Sequence, residues 1–484
     1  MKYYVGIDMG TSSLKITLID EVGHIHSQIA QEYDYAMPQE DWREIEPTIW
    51  GEALDCCMKK LRQSKGDDIM QQIASIGVTG QMHTTVFLDK SGVSIRPAIM
   101  WNDNRAGDLL RDIKAQLSEK NSLRLIKKII SSGSPALNLA WLRKHEPENF
   151  HRLDKFIIGP DYLVYWLTGH IGTDYCEAST SSLYDLQNLY WSEEMCRIIG
   201  ISSQQCPQVY ASSITAGLLK EVLAKAWGMT NQVSVIVGTG DNAAAAVAAG
   251  ADRGKFALMS LGTSGVLLFR RSGFVEAKGK NILFASESDK PEFLVQGVLQ
   301  SCGRTMNWWI KQILGLDDIA SAFGAVDWQA SARKKLLFYP HIMGEKTIYG
   351  NPDLRGAFIG LSESNTRQDM LVALMEGMAF GTRELAEKMS VPADLMTPLR
   401  VTGGGAANTL WLKIMATVLN VPVKRIPNGG GAGYGAALLA MKKRLPLMEE
   451  DKDIIYPEEN LLDCYAEKYN NYLKINKAIG EILG

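Results

Sequence analysis

One hairpin occurs twice in this chain, and that repeat constrains its fold more than any other feature. Residues 3–20 read as two short apolar strands, YVGID and LKITLID, joined by the tight turn Gly10-Thr11-Ser12-Ser13. Residues 256–269, FALMSLGTSGVLLF, repeat the scheme of strand, Gly-Thr-Ser, strand about 250 positions later. Internal repetition has to be weighed before a fold is named. A single pair of copies points to duplicated domains and not to an array, although a three-residue turn also recurs by chance, and the pattern alone leaves both readings open. The length of 484 residues accommodates two large domains. The boundary is expected just after the alanine-rich stretch 243–249, around 250–254, which divides the chain into 1–250 and 251–484.

Between the hairpins, residues 73–79 (IASIGVT) read as a buried strand, and 47–61 and 138–145 as helices, the second stopping at Glu146-Pro147. Strands alternating with helices predict an α/β class. The end of the chain, 461–483, reads as a polar amphipathic helix. Hydrophobic residues make up 46% and charged residues 22%, which argues against disorder or a fibrous repeat. Basic and acidic side chains number 51 and 54, a net charge of −3 that gives no electrostatic support for nucleic-acid binding. No apolar run reaches the length of a membrane span. The seven cysteines are odd in number and lack paired spacing, so neither a disulfide framework nor a zinc site is expected. They are expected as small buried hydrophobes. The opening MKYYVGIDMG holds a lone lysine and no apolar leader segment, so a soluble enzyme of the cytoplasm is expected.

Four small-residue turns stand out, at 10–13, 262–265, 403–407 and 429–435. Phosphate oxygens need converging N–H donors and close backbone approach, which such turns supply. The P-loop pattern is absent, and 429–435 comes near a dinucleotide fingerprint but follows Pro427-Asn428 instead of a strand. Two matching hairpins, plus a third turn before the helix expected at 411–419, fit a nucleotide held between two domains. Asp8 ends the first strand, where a carboxylate can hold Mg²⁺ directly or through water. Asp241 follows the strand VSVIVGTG and precedes NAAAAVAAG, so it reads both as a helix N-cap and as a carboxylate reaching into a cleft. Trp101 reads equally as a cover for a sugar face or as core, and Trp308 and Trp309 as helix-packing residues.

Together these segments resemble the FGGY carbohydrate kinases, and within them the xylulose-phosphorylating group, over about residues 3–445. The resemblance rests on GIDMGTSSLK, on Thr79-Gly80-Gln81-Met82-His83, on Trp101-Asn102-Asp103-Asn104-Arg105 and on Gly240-Asp241-Asn242. It continues in SLGTSG, Gly344-Glu345, Asn351-Pro352, RGAFIGLSESNTRQDMLVALMEG and TGGGAANTLWLKIMA. It implies an actin/hexokinase-type ATPase fold, two ribonuclease-H-like domains around a central cleft that closes on the sugar, and it suggests a homodimer. It implies Asp241 as the general base and Asp8 as the acidic residue near Mg²⁺, acting through water. Gln81, Met82 and His83 then contact the sugar, joined by Trp101, Asn102, Asp103 and Asn242. Thr11, Ser12, Ser13, Lys15, Gly262 and Thr263 match the phosphate positions, and Gly303, Asn307, Gly404, Gly405 and Asn408 line the adenine nucleotide. The implied reaction is ATP-dependent phosphorylation of D-xylulose to D-xylulose 5-phosphate. Gluconate, ribulose or another ketose is the alternative acceptor, and GTP the alternative donor. An actin-like ATPase scaffold is the rival outside sugar transfer, and retention of Gln81-Met82-His83 with Gly240-Asp241 argues against it. The chain departs from the family pattern at Thr84, where glycine is usual, at Asn138, where lysine is common, and at Lys346.

Overall fold

In the computed structural model the described residues are 1–118, 120–251, 254–276, 281–288, 290–316, 326–426, 431–443, 445 and 453–483. The first hairpin is formed by β1 (Tyr3–Met9) and β2 (Ser13–Asp20), and antiparallel β3 (Ile25–Glu32) extends it. On the other side of β1 lie parallel β4 (Ile73–Gly80) and then parallel β5 (Ser234–Ile236). The core order is therefore 3-2-1-4-5, with the antiparallel strands on one side of β1 and the parallel ones on the other. Helix α1 (Asp241–Ala248) follows this sheet.

The second half repeats the plan. Antiparallel β6 (Ala257–Leu261), β7 (Gly265–Ser272) and β8 (Glu292–Leu299) lie on one side, and β9 (Leu399–Thr402) and β10 (Val423–Arg425) run parallel on the other. Two sheets of one ribonuclease-H-like order decide between the two readings of the repeated hairpin in favour of duplication. The fold is the two-domain actin/hexokinase type. The copies differ in one detail: four residues separate the paired Met9 and Leu14, but three separate Leu261 and Gly265.

The halves exchange helices. Ala243, Ala246 and Ala249 of α1 and its C-terminal flank pack with Leu258, Leu268, Phe284 and Leu294 of the second sheet. In return α2 (Gly431–Met441) lies on β1 and β4 of the first. It sits there main chain on main chain: a β-carbon on Gly6 would stand 1.8 Å from the Gly433 carbonyl oxygen, and one on Gly77 2.1 Å from that of Ala436. The two helices touch in the same way, since a β-carbon on Gly435 would stand 1.8 Å from the Ala244 oxygen. Residues 252 and 253 of the expected boundary, and 429–430 of the fourth turn, lie outside the described residues.

The expected helices form with shifted ends. The first spans Thr48–Lys65, and the second begins three residues early as Pro135–His145, because proline is favoured in a first turn. The last helix covers Leu462–Leu483. Cys57, Cys176, Cys196, Cys206 and Cys302 are buried free thiols. Among the described residues no helix is long and apolar enough to cross a membrane.

Candidate active site

Strand register assembles the site. Asp8 and Met9 of β1 pair with Thr79 and Gly80 of β4, and the same two β4 residues pair with the short strand Thr239–Gly240. Three strands thus end together, and ligands in parallel α/β sheets bind beyond such carboxyl ends. Asp8 stands at the first end, Gln81 to Thr84 leave the second, and Asp241 leaves the third.

Asp241 is the first residue of α1, whose N-cap is Gly240 with no side-chain cap bond, so its expected capping role is not realised. Burial, then the charge of Asp8, pushes its carboxyl up to about 7. Burial also raises Asp8, against the opposing pull of Lys15, its cross-strand partner on β2. The first turn is held by the Gly10 N–H on the Ser13 oxygen at 2.9 Å, and by Tyr33, whose hydroxyl donates to the Gly10 carbonyl and whose N–H reaches Ser12 at 3.0 Å. Thr11 and Ser13 are half-buried and Ser12 is exposed.

Residues 81–84 converge beside Asp241. The Gln81 N–H anchors the loop on the Met9 carbonyl at 2.8 Å, and the Asn242 amide donates to Met82 Sδ at 3.5 Å. His83 has a φ of 68°, a left-handed conformation uncommon outside glycine and typical of functional sites. Burial drags its ring down to about 4, so it is neutral near pH 7. Both polar atoms of the Gln81 amide, Thr79 Oγ1, His83 Nδ1 and Asn102 Oδ1 are buried without hydrogen-bond partners. Buried polar groups are ordinarily paired, so this concentration marks a place built for a polar ligand.

Trp101 is 47% exposed and therefore not core. Its indole N–H donates to Thr11 Oγ1 at 3.0 Å, linking the 101–105 segment to the first Gly-Thr-Ser turn. Its main-chain N–H donates to Thr84 Oγ1 at 3.2 Å, so the unusual threonine braces this loop. Asp103 is placed otherwise than expected. Its Oδ1 accepts from Arg105 N and Nε, and its Oδ2 from Arg43 N and Arg105 Nη2, so it supports the loop from behind. Asn138 is buried against Thr85 at 2.9 Å, and Lys346 is exposed.

The second half gathers its own set by the same register, Ser260 of β6 lying opposite Thr402 of β9. The Gly303 N–H donates to the Gly262 carbonyl at 3.0 Å and Arg304 N–H to that of Thr263 at 3.1 Å. A β-carbon on Gly303 would lie 2.4 Å from the Gly262 oxygen, so only glycine fits there. Gly403 and Gly405 close on Leu261, and the Gly404 α-carbon faces open space. Asn408 Oδ1 caps helix Thr409–Leu419 through Trp411 N–H at 3.0 Å. Asn307 is exposed on Gly303–Trp308. Trp309 packs on Phe358, whereas Trp308, expected inside, is 40% exposed.

Sequence reasoning missed Tyr33 and Glu177. Neither sits in a glycine turn, and the small polar run around Glu177, TDYCEAST, was the available signal.

Residues 3–248 match the N-terminal domain of the FGGY family of carbohydrate kinases, and residues 257–443 its C-terminal domain. The xylulose kinase of Staphylococcus xylosus is 31% identical over 98% of this chain and all of its own length. That of Lactococcus lactis subsp. lactis is 32% identical over 91% of this chain and 87% of its own. A crystal structure of a xyloylose kinase from Brucella ovis superposes with a TM-score of 0.89 at 31% identity, covering 99% of this chain and 100% of that one. Duplicated sheets, aligned strand ends with paired acids and two successive domain matches agree: the chain belongs to the FGGY family of carbohydrate kinases, phosphotransferases with an alcohol acceptor.

Proposed function

We propose that the protein transfers the γ-phosphoryl group of ATP to the primary C5 hydroxyl of D-xylulose, with Asp241 as general base. The observation that carries this reading is the set of unpaired buried polar groups on Thr79, Gln81, His83 and Asn102 beside a carboxyl poised near neutrality. The xylulose kinases among the relatives support the choice of sugar.

A sugar hydroxyl is a poor nucleophile, and a carboxylate within about 3 Å accepts its proton as the loose transition state develops. A base works best with a pKa near the working pH, and burial with Asp8 tunes Asp241 to that range. Neutral His83 and the Gln81 amide orient the polyol, and Trp101 closes the site toward Thr11. The main-chain donors of both Gly-Thr-Ser turns face the phosphates. Asp8 and Asp241 form an acidic pair in which the charge of one disfavours that of the other, a donor set that suits a divalent cation. Asp8 would hold Mg²⁺, through water, and the ion would supply charge neutralisation at the β- and γ-phosphates.

A panel of D-xylulose, other pentuloses and gluconate in a coupled ADP assay tests the reading. D-xylulose is expected to give the highest kcat/KM, with product NMR locating phosphate on C5. Should gluconate outperform D-xylulose, the substrate proposal falls and the family assignment stays.

A further inference from the structure

Five acids gather around the strand ends: Asp8, Asp161, Asp174, Glu177 and Asp241. Two of them are consumed by the fold. Asp161 Oδ2 accepts the Ile158 N–H at 3.1 Å. Asp174 caps helix Tyr175–Thr180 through Glu177 N–H at 2.9 Å, and its other oxygen takes the Ser212 hydroxyl at 2.7 Å. Asp8 and Asp241 belong to the transfer chemistry. Glu177 serves neither purpose. Its side chain is completely buried, and neither oxygen has a hydrogen-bond partner, the His83 amide approaching without reaching bonding geometry.

Its position is informative. Where a β-carbon on Gly240 would stand, Glu177 Oε1 lies 2.8 Å away and Met82 Cγ and Sδ lie 2.8 and 2.9 Å away. Glu177 therefore presents an oxygen to the residue just before the proposed base, beside the methionine of the sugar loop. An unpaired buried carboxyl is costly to a fold, so a ligand oxygen that reaches Glu177 gains a hydrogen bond that the fold does not itself use.

We infer that Glu177 is a substrate-contacting specificity residue that hydrogen-bonds an oxygen of an uncharged polyhydroxy acceptor. The inference rests on the sugar-kinase reading above and deepens it. Burial first, then the charges of Asp161, Asp174 and Asp241, push its carboxyl well above the usual carboxylate range. A protonated carboxyl offers one O–H donor together with acceptor lone pairs, the pairing that a hydroxyl or keto oxygen requires. Lys15 offsets Asp8, whereas the acids Asp161, Asp174 and Asp241 bear on Glu177. An uncharged hydroxyl or keto oxygen fits this environment.

The test measures steady-state constants for Glu177→Ala and Glu177→Gln on the uncharged acceptor that the wild type uses best, with sugar binding in the absence of nucleotide as a second readout. Glu177→Ala is expected to raise KM for the sugar about tenfold or more, as for one lost buried hydrogen bond, with KM for ATP within about twofold. Glu177→Gln keeps a donor and an acceptor and is expected to restore sugar KM to within about threefold of wild type. A sugar KM for Glu177→Ala within twofold of wild type overturns the inference. So do equal losses for sugar and ATP, and a glutamine variant no better than alanine. If another ketose replaces D-xylulose as best acceptor, the substrate reading fails while this test still runs. If D-xylulose is best and alanine changes nothing, only the inference on Glu177 fails.

Discussion

Replacing Asp241 with asparagine separates activity from stability in opposite directions. The substitution is nearly isosteric and leaves α1 intact, since Gly240 and not Asp241 is its N-cap and no side-chain cap bond is lost. It removes the proton acceptor, so kcat is expected to fall about 10²–10⁴-fold, a barrier increase of about 3–5 kcal/mol. Stability moves the other way. A carboxyl carried from 3.8 to about 7 binds its proton more tightly in the folded chain than in the unfolded one. The unfolded carboxyl ionises first, so as pH rises from about 4 to 7 the folded state loses ground, up to about 4 kcal/mol above neutrality. Asparagine carries no charge and escapes that loss. Asp241→Asn is therefore expected to melt at a higher temperature than wild type at pH 8, with the difference shrinking as pH falls and vanishing near pH 4. Calorimetry across this range and a coupled ADP assay at pH 8 measure both. A variant that melts below wild type at pH 8, or that keeps more than about a tenth of kcat, would falsify the reasoning.

His83→Ala is expected to raise KM for sugar at least tenfold with little change for ATP, roughly one to two buried hydrogen bonds, as read by initial rates with each substrate varied. Gly303→Ala pushes a β-carbon to within 2.4 Å of the Gly262 oxygen. It is expected to cost about 1–3 kcal/mol of overpacking, to raise KM for ATP and to leave sugar binding in the absence of nucleotide intact. Thr84→Val strands the Trp101 N–H, now bonded at 3.2 Å. Tryptophan fluorescence and sugar KM are expected to shift together, by about threefold to tenfold in KM, and an unchanged pair refutes the proposed brace. Asp369 is held below the usual carboxylate range despite its burial, by Lys334, the Thr366 N–H and hydroxyl, and Ser331. The stability from that depressed pKa is present above about pH 4 and is lost as pH falls through the folded value. Asp369→Asn is expected to lower stability at pH 7 by about 1–3 kcal/mol and to flatten acid unfolding, measured by urea titration from pH 7 to 2.

The parts of this molecule that were legible in the sequence are those whose chemistry is local. Gly-Thr-Ser turns between apolar strands announce themselves, and so does an acid at a strand end such as Asp8 or Asp241. What was hidden depends on long-range placement. Asp103 looked like a sugar ligand through its place in the Trp101–Arg105 motif, yet Arg43 from far upstream helps consume its oxygens. Glu177 looked like one polar residue among many, and only the strand pairing of Thr79 with Thr239 brings its neighbourhood to the site. Trp308 and Trp309 are adjacent in sequence but differ in burial, one exposed and one packed inside, which an unaligned pair of tryptophans does not reveal. The exchange of α1 and α2 was equally invisible, because Gly6, Gly77 and Gly435 read one by one as ordinary glycines.

That exchange has a consequence for the order in which the chain can be completed as it is synthesised. The face of the first sheet around Gly6 and Gly77 is covered by a helix spanning Gly431–Met441, so it stays bare until that distant segment has been made. Domains ordinarily fold as units, the N-terminal one first during translation, but here the leading half must wait for the trailing one. The second sheet does not wait in turn, since α1, which packs with it, is made before it. The nascent chain therefore passes through a long interval in which the face holding Tyr4, Gly6, Ile19 and Gly77 lacks the helix that covers it.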